Sequence, residues 1–559
     1  MVYDRVEIIW KRFVLMEQKV YDSWKKALAG TEYAEELNSL CGEALEEAFL
    51  GYLEFGTAGM RGKLGLGINR MNTFTVRRST QGLANFIEAE GLSDKGVAIA
   101  YDSRNMSKEF AKETAWLLAE NGIKVYLYED LRSVPQLSFT ILQLGCAAGV
   151  VITASHNPKE YNGYKAYWED GAQVTAPHDT NIINEVLKIT SPAMVKFEGG
   201  EQNIQMVGAD VDEAYLNDVS TLLVSPDSVK NHADMKMVYT PLHGTGITLV
   251  PKILSRMGFT NLSLVEAQVE SNGNFPTVKS PNPEENSALE MAVALAEEKG
   301  ADLVMATDPD ADRVGIAIRD NEGKIILLNG NQTASILTYY LLRRWKELGK
   351  LNENTYIVKT IVTTELMAAM AKAFGVKCYN VLTGFKYIAS IIRENEGKAT
   401  FIGGGEESYG YNAGEFVRDK DAVITCALIA ECAAWCADQG KTLYQLLGDI
   451  YAEFGFYKES LISLTKKGKA GLEEIQAMMK EYRENPPASI AGSPVVKVID
   501  YNKPEETGLP KSNVLQFYTE DGSVVSVRPS GTEPKIKFYF GVHGADANEK
   551  VELLKAEFN

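Results

Sequence analysis

Three aspartates at alternate positions, Asp308, Asp310 and Asp312, follow the apolar run at residues 303–307. Three carboxylates on one short loop offer oxygen-only ligands and high negative charge, which suits a hard divalent ion, magnesium before calcium. An EF-hand loop would need glycine at its sixth position and glutamate at its twelfth. Counted from Asp308 those positions hold Arg313 and Arg319, so that reading fails. The plain alternative is a solvated acidic turn, but Pro309 and the preceding strand fix the loop. A second apolar run, 149–152, opens onto Ser155, His156, Asn157 and Pro158, with Lys165 ten residues beyond Ser155. Pro158 lacks an N–H and biases Asn157 away from helical geometry, which presents one serine hydroxyl at the mouth of a strand. A third stretch, Arg528-Pro-Ser530-Gly531-Thr532-Glu-Pro-Lys535, gathers a guanidinium, two hydroxyls, glycine backbone and an ammonium, the donors a phosphate dianion requires. A fourth places Glu406 and Ser408 on the glycine-rich loop 403–410, a pattern that could bind sugar hydroxyls but is weak by itself. Residues 55–62 with Gly65 and Gly67 let backbone approach a ligand closely; Arg61 there is either a phosphate fork or the surface arginine of a turn-rich hairpin.

These loops need strands to hold them. From residue 75 the pattern predicts helix 75–89, strand 97–101, helix 108–121, strand 125–128, helix 136–144 and strand 149–152. Such alternation implies a largely parallel sheet with ligands at the carboxyl ends of its strands, where Ser155 lies. A second round runs from strand 237–239 into the turn 240–246 (Thr-Pro-Leu-His-Gly-Thr-Gly). It continues through the Pro- and Asn-rich stretch 274–286 and helix 287–299 to strand 303–307. A third gives strand 356–360, helix 364–374, strand 376–381, the segment Thr383-Gly384-Phe385-Lys386 and strand 399–402. Three units that each end a strand in a polar loop suggest a structural repeat. The last ~100 residues, with helix 472–484 and strands 514–519 and 523–527, read as a smaller α+β domain. Residues 1–50 carry Trp10, Phe13, Leu15, Val20, Trp24 and Leu28 at helical spacing and read as amphipathic helices ahead of the first domain. The expected division is an extension over 1–50, α/β domains over 51–205, 206–325 and 326–455, and the α+β domain over 456–559.

A chain of 559 residues is too long for one core. Its formal charge of −18 argues against nucleic acid or an anionic membrane as a general partner, though a local basic cleft could still take an anionic substrate. The most apolar stretch, 423–437, is interrupted by Glu431 and reads as a buried helix rather than a membrane span. Cys432 and Cys436 lie four apart, but no histidine or acidic cluster completes a metal site, so core packing is expected. The charged N-terminus is unlike a secretory signal and six scattered cysteines form no disulfide framework. The expectation is a soluble, cytoplasmic, multidomain protein.

Taken together, four segments resemble the α-D-phosphohexomutase family in its own order. Residues 153–158 with Asn162-Gly163-Tyr164-Lys165 look like its phosphoserine loop and 308–313 like its metal loop; 405–410 look like its sugar loop and 528–535 like its phosphate loop. Pro309 and Ala311 stand where the family commonly has glycine, with all three aspartates kept. Glu406-Glu407-Ser408 and Thr383–Lys386 look more like the phosphoglucomutase branch than the phosphomannomutase or phosphoglucosamine-mutase branches. Residues 55–62 and the extension resemble a subgroup that includes phosphopentomutases. The resemblance implies a four-domain α/β architecture, three similar domains and a C-terminal α+β domain around a central cleft.

It also implies an enzyme that interconverts α-D-glucose 1-phosphate and glucose 6-phosphate, using Mg2+ and glucose 1,6-bisphosphate as activator and intermediate. Ser155 would carry the phosphoryl group and join Asp308, Asp310 and Asp312 around the metal. Lys165 would serve as proton acceptor and donor if neighbouring cations such as Arg61, or burial, lower its pKa. His156 would orient the site, pointing elsewhere if the backbone is extended. Arg313, Thr383, Gly384, Lys386, Glu406 and Ser408, with Arg528, Ser530, Gly531, Thr532 and Lys535, would bind the phosphosugar. Phosphopentomutase or phosphomannomutase activity, a sugar-bisphosphate synthase or phosphatase, and a silent phosphoprotein remain alternatives. No nucleic acid or membrane partner is expected, and the chain would be a monomer or homodimer.

Overall fold

The computed structural model describes residues 18–56, 59–190, 194–196, 200–466, 468–530 and 535–558. Trp10, Phe13, Leu15, Gly531 and Thr532 lie outside them. Within the extension, Val20, Trp24 and Leu28 join Leu37, Phe49 and Ile68 in a small apolar cluster, so the helices Ala34–Ser39 and Gly42–Phe49 pack onto the first domain.

The first sheet holds β1 (Gly59–Lys63), β2 (Val97–Tyr101), β3 (Val125–Tyr128), β4 (Ala148–Ile152), β5 (Tyr161–Trp168) and β6 (Ile204–Val207), in the order β1-β5-β4-β2-β3-β6. The second holds β7 (Met237–Thr240), β8 (Leu262–Leu264), β9 (Leu303–Thr307), β10 (Val314–Arg319) and β11 (Ile325–Leu328), in the order β11-β10-β9-β7-β8. The third holds β12 (Thr355–Thr360), β13 (Lys377–Val381), β14 (Thr400–Gly405) and β15 (Tyr411–Asn412), in the order β13-β12-β14-β15.

The expected parallel strands form the body of these sheets, and antiparallel strands at their edges make all three mixed. In each, the strand before a functional loop is parallel to its inner neighbour. The strand after the loop returns antiparallel to it: β5 on β4, β10 on β9, β15 on β14. The chain thus makes a hairpin at the carboxyl edge three times, around Ser155, Asp308–Asp312 and Glu406–Ser408. Each hairpin turns through one non-glycine residue with left-handed backbone: Ser155 (φ 52°), Ala311 (φ 50°) and Tyr409 (φ 64°). That conformation is uncommon outside glycine and clusters at functional sites.

The C-terminal sheet is antiparallel throughout: β16 (Tyr457–Thr465), β17 (Ser489–Ile490), β18 (Ser493–Asp500), β19 (Leu515–Thr519), β20 (Val524–Pro529) and β21 (Lys535–His543), in the order β16-β21-β20-β19-β18-β17. Helices Gly468–Glu484 and Ala547–Phe558 pack on it.

One continuous apolar core, with buried members from Ala98 to Ile450, runs through the first three domains. At its centre lies the helix Ala422–Asp438, hydrophobic on every side and buried, as its sequence suggested. Its one buried charge, Glu431, accepts hydrogen bonds from the Ser225 N–H (2.7 Å), the Val224 N–H (3.1 Å) and the Tyr340 hydroxyl (2.8 Å). Cys432 and Cys436 are buried in that core. Among the described residues, no single helix is long and apolar enough to cross a membrane.

Candidate active site

Ser155 lies at the point where the three hairpins meet. Its Oγ donates to Asp308 Oδ2 (2.9 Å) and lies 3.0 Å from His156 Nδ1. The positive φ of Ser155 turns the chain so that His156 faces the serine, which corrects the expectation from an extended backbone. Burial first, then the positive charges of Arg313 and Arg61, pushes the His156 imidazole down to about 2, so it is neutral. Arg104 holds the loop from below. Its guanidinium donates to the carbonyls of Ser155 (3.2 and 2.5 Å), Pro158 (2.9 Å), Tyr161 (3.1 Å) and Asn157. Arg61, exposed on the edge strand β1, donates to Asn157 Oδ1 at 3.0 Å.

The three aspartates converge within 4.8 Å of one another and are buried. Asp310 Oδ1 and Asp312 Oδ1 are buried with no hydrogen-bond partner, unlike most buried polar atoms. Burial and the charges of Asp310 and Asp312 push the Asp308 carboxyl up. Crowded carboxylates, orphaned oxygens and the Ser155 hydroxyl form an oxygen-only set that fits a divalent cation.

Two buried ammonium groups flank the aspartates. Lys165 Nζ is 2.8 Å from Asp310 Oδ2 and 3.7 Å from Asp312 Oδ2. Lys420 Nζ is 3.2 Å from both Asp312 Oδ2 and Asp419 Oδ1. The groups within ion-pair distance of the Lys165 ammonium are carboxylates.

The loop backbone is gripped from all three domains. The Pro309 carbonyl accepts from the Thr245 N–H (2.8 Å), the Asp310 carbonyl from the Val134 N–H (2.9 Å) and the Ala311 carbonyl from the Ala422 N–H (3.1 Å). Each donor is the first residue of a helix: the short 3-10 turn Thr245–Thr248, Val134–Leu144 and Ala422–Asp438. The unpaired N–H groups at helix starts seek acceptors, and their positive ends suit a loop of three carboxylates.

Above the serine opens a cavity of about 340 Å³ to which every domain contributes: His156 from the first, Glu284 and Arg313 from the second, Thr383, Gly384 and Glu406–Ser408 from the third, and Arg528, Lys537 and Tyr539 from the last. Glu406 accepts from the Gly384 N–H (3.0 Å), which ties the sugar loop to the 383–386 segment. Burial and then Glu406 push the Glu407 carboxyl up to about 7. Arg313 pairs with Glu284 at 2.5 Å. Lys386 is not among the lining residues; its ammonium stands 5.4 Å from the centre of the Tyr387 ring. Ser530 and Lys535 close the base of the phosphate loop through a Ser530 N–H to Lys535 carbonyl bond of 2.7 Å.

The structure thus gathers Ser155, His156, Lys165, Arg61, Arg313 and the three aspartates on one side, with Thr383, Gly384, Glu406, Ser408 and Arg528 around the cavity. Sequence reasoning missed Arg104, Lys420, Glu284, Lys537 and Tyr539. Lys537 and Tyr539 had a usable signal, since they alternate with core residues on the strand after the phosphate loop. Nothing in the sequence ties Arg104 to the serine loop or Lys420 to Asp312, because those partners are distant in sequence.

Consecutive family models describe this arrangement of domains and loops. "Phosphoglucomutase/phosphomannomutase, alpha/beta/alpha domain I" matches residues 52–193, domain II 213–323, domain III 329–454, and the C-terminal domain 463–557. The chain belongs to the phosphoglucomutase/phosphomannomutase family. A phosphoglucomutase of Staphylococcus haemolyticus is 38% identical over 537 residues, covering 93% of this chain and 96% of its own. Among solved structures, a family protein from Burkholderia thailandensis matches at TM-score 0.66 with 20% identity, covering 90% of this chain and 97% of its own. The phosphoglucomutase pp63/parafusin of Paramecium, in an open form, matches at 0.68 with 18% identity, covering 91% and 94%.

Proposed function

We propose that this chain interconverts α-D-glucose 1-phosphate and glucose 6-phosphate through a phosphorylated Ser155 and a bound glucose 1,6-bisphosphate. The observation that carries the reading is the hydrogen bond from Ser155 Oγ to Asp308 within a buried triad, beside His156, which lines a cavity that also holds Arg313, Arg528 and Lys537. The name of the Staphylococcus relative supports glucose as the sugar.

Asp308, Asp310, Asp312 and a phosphate oxygen on Ser155 would hold Mg2+, which neutralises charge on the transferring group. Arg528 and Lys537, with the phosphate loop, would hold the phosphate that is not transferred. Glu406 and Ser408 would bind sugar hydroxyls in either orientation of the ring. Transfer breaks the Ser155 Oγ–P bond and forms one to the free sugar hydroxyl, and the proton that hydroxyl loses balances the one Ser155 Oγ gains on becoming a hydroxyl; the return transfer runs the exchange in reverse, the departing sugar oxygen taking the proton. When the second phosphate returns, Ser155 itself gives up a proton, and the acceptors beside its Oγ are Asp308 and the neutral His156. Arg313 and Lys165 would offset negative charge around the transfer. Uncatalysed phosphate-monoester cleavage needs up to ~10²¹-fold acceleration, so water has to be kept from phospho-Ser155; a cavity walled by four domains supports this.

Initial rates on glucose 1-phosphate, mannose 1-phosphate and ribose 1-phosphate test the reading, each with Mg2+ and a trace of glucose 1,6-bisphosphate. The expected result is a large preference for glucose 1-phosphate that chelator abolishes and Ser155→Ala removes. A preference for ribose 1-phosphate would reassign the sugar, and full turnover in Ser155→Ala would sink the mechanism.

A further inference from the structure

The turn 240–246 is singular in the sequence and takes no part in the chemistry above, yet it is the most contorted backbone in the second domain. Leu242 (φ 45°) and His243 (φ 63°) are consecutive left-handed residues, each disfavoured for a residue with a side chain. Several bonds hold them there. The Leu242 N–H donates to Thr240 Oγ1 (3.1 Å) and the His243 N–H to the Gln268 carbonyl (3.0 Å). The buried His243 ring is fixed by the Glu270 carbonyl and Thr277 Oγ1, 2.9 Å from each. The contortion delivers the next two residues against Pro309. A Cβ on Gly244 would stand 2.4 Å from Pro309 Cα, and Thr245 bonds the Pro309 carbonyl twice, through its N–H (2.8 Å) and its hydroxyl (2.9 Å).

Pro309 has no N–H, so its carbonyl is its only main-chain tether. That carbonyl belongs to the peptide plane entering Asp310, whose Oδ1 is one of the two orphaned oxygens. Two donors on one carbonyl restrain the plane, and with it the direction of the carboxylate. From this geometry we infer that Thr245 is a positioning residue whose hydroxyl sets the divalent-cation affinity of the aspartate triad through Pro309. The inference rests on the proposed metal role of Asp308, Asp310 and Asp312.

The test is direct Mn2+ binding to the full chain, followed by the electron paramagnetic resonance signal of free Mn2+, in wild type, Thr245→Val and Thr245→Ser. Thr245→Val keeps the shape and the N–H but removes one donor, and should weaken Mn2+ binding about three- to tenfold, the scale of one hydrogen bond. Thr245→Ser restores the donor and should return to within about twofold of wild type. Thermal melting with chelator separates the alternatives: a merely structural hydroxyl would lower the midpoint and leave the folded protein's Mn2+ affinity unchanged. A folded Thr245→Val that binds Mn2+ as tightly as wild type, or a Thr245→Ser as weak as Thr245→Val, overturns the inference. If Thr245→Val does not fold, Thr245→Ala is read by the same criteria. Wild type binding no Mn2+ would instead remove the metal site itself.

Discussion

Arg104 directs its guanidinium at main-chain oxygens of the serine loop, with Asp102 Oδ2 3.5 Å from its Nε, and its Cζ lies 5.1 Å from the centre of the Phe275 ring. A planar fork can satisfy four carbonyls that converge from different directions, whereas an ammonium on a flexible stem cannot. Arg104→Lys should therefore leave a folded enzyme with Ser155 displaced, and displacement on the ångström scale costs about 100-fold in rate. The check is kcat alongside the intact mass after exposure to glucose 1,6-bisphosphate; full phosphorylation of Ser155 with wild-type kcat would refute it. The same residue shows what a sequence reveals at this scale. Ser155 and the aspartates are legible because their chemistry is written in their types and spacing. Arg104 follows a strand as visibly as they do, but its role lies in carbonyls about fifty residues away, which every residue carries alike. His156 was legible as a candidate and misread in direction, since nothing local says that a serine will take a left-handed backbone.

At the scale of elements, each functional hairpin has a close approach at a glycine, on its own returning strand or on another segment. A Cβ on Gly163 would meet the Thr153 carbonyl at 2.5 Å, one on Gly244 would meet Pro309, and one on Gly330 would meet the Glu407 carbonyl at 2.2 Å. Gly330 opens the helix Gly330–Glu347 just after its cap Asn329, whose side chain and that of Gln332 close a reciprocal capping box. Alanine is conformationally acceptable at that position, so the expected harm of Gly330→Ala comes from contact alone. The helix start must retreat or the sugar loop must move. We expect a loss of about 1–3 kcal/mol in denaturant unfolding, the range for overpacking, and a several-fold rise in KM for the sugar phosphate. An unchanged KM would mean that the helix, not the loop, yields. The parallel strands leading into these loops were readable as short apolar runs. Some of the antiparallel strands were not: β1 carries two glycines in five residues and β15 is two residues long.

Over the whole molecule, the apolar contacts divide the chain unequally. The first three domains share one core, sealed by the helix Ala422–Asp438, and their helix starts meet on the metal loop. The last domain keeps its own core of residues between Ile462 and Phe558. Among the described residues, the features that join it to the third domain include a small cluster of Ile361, Leu382, Tyr501 and Val514, a bond from the Gln516 side chain to the Ile361 carbonyl (2.7 Å), and the Phe456 ring against Tyr451 (5.0 Å). A join of this size favours relative motion of domains, while Arg528, Lys537 and Tyr539 still reach the shared cavity. Calorimetry of the full chain should then show two transitions, the smaller belonging to residues 456–559. A chain ending at residue 455 should keep the larger transition and Mn2+ binding, because the aspartates and all three donors to their loop lie within it. It should lose mutase turnover by more than about 100-fold, because the guanidinium and ammonium proposed to hold the phosphate are gone. A single transition in the full chain, with a truncated chain that cannot fold, would mean that the small contact at Ile361 transmits the stability of one body to the other.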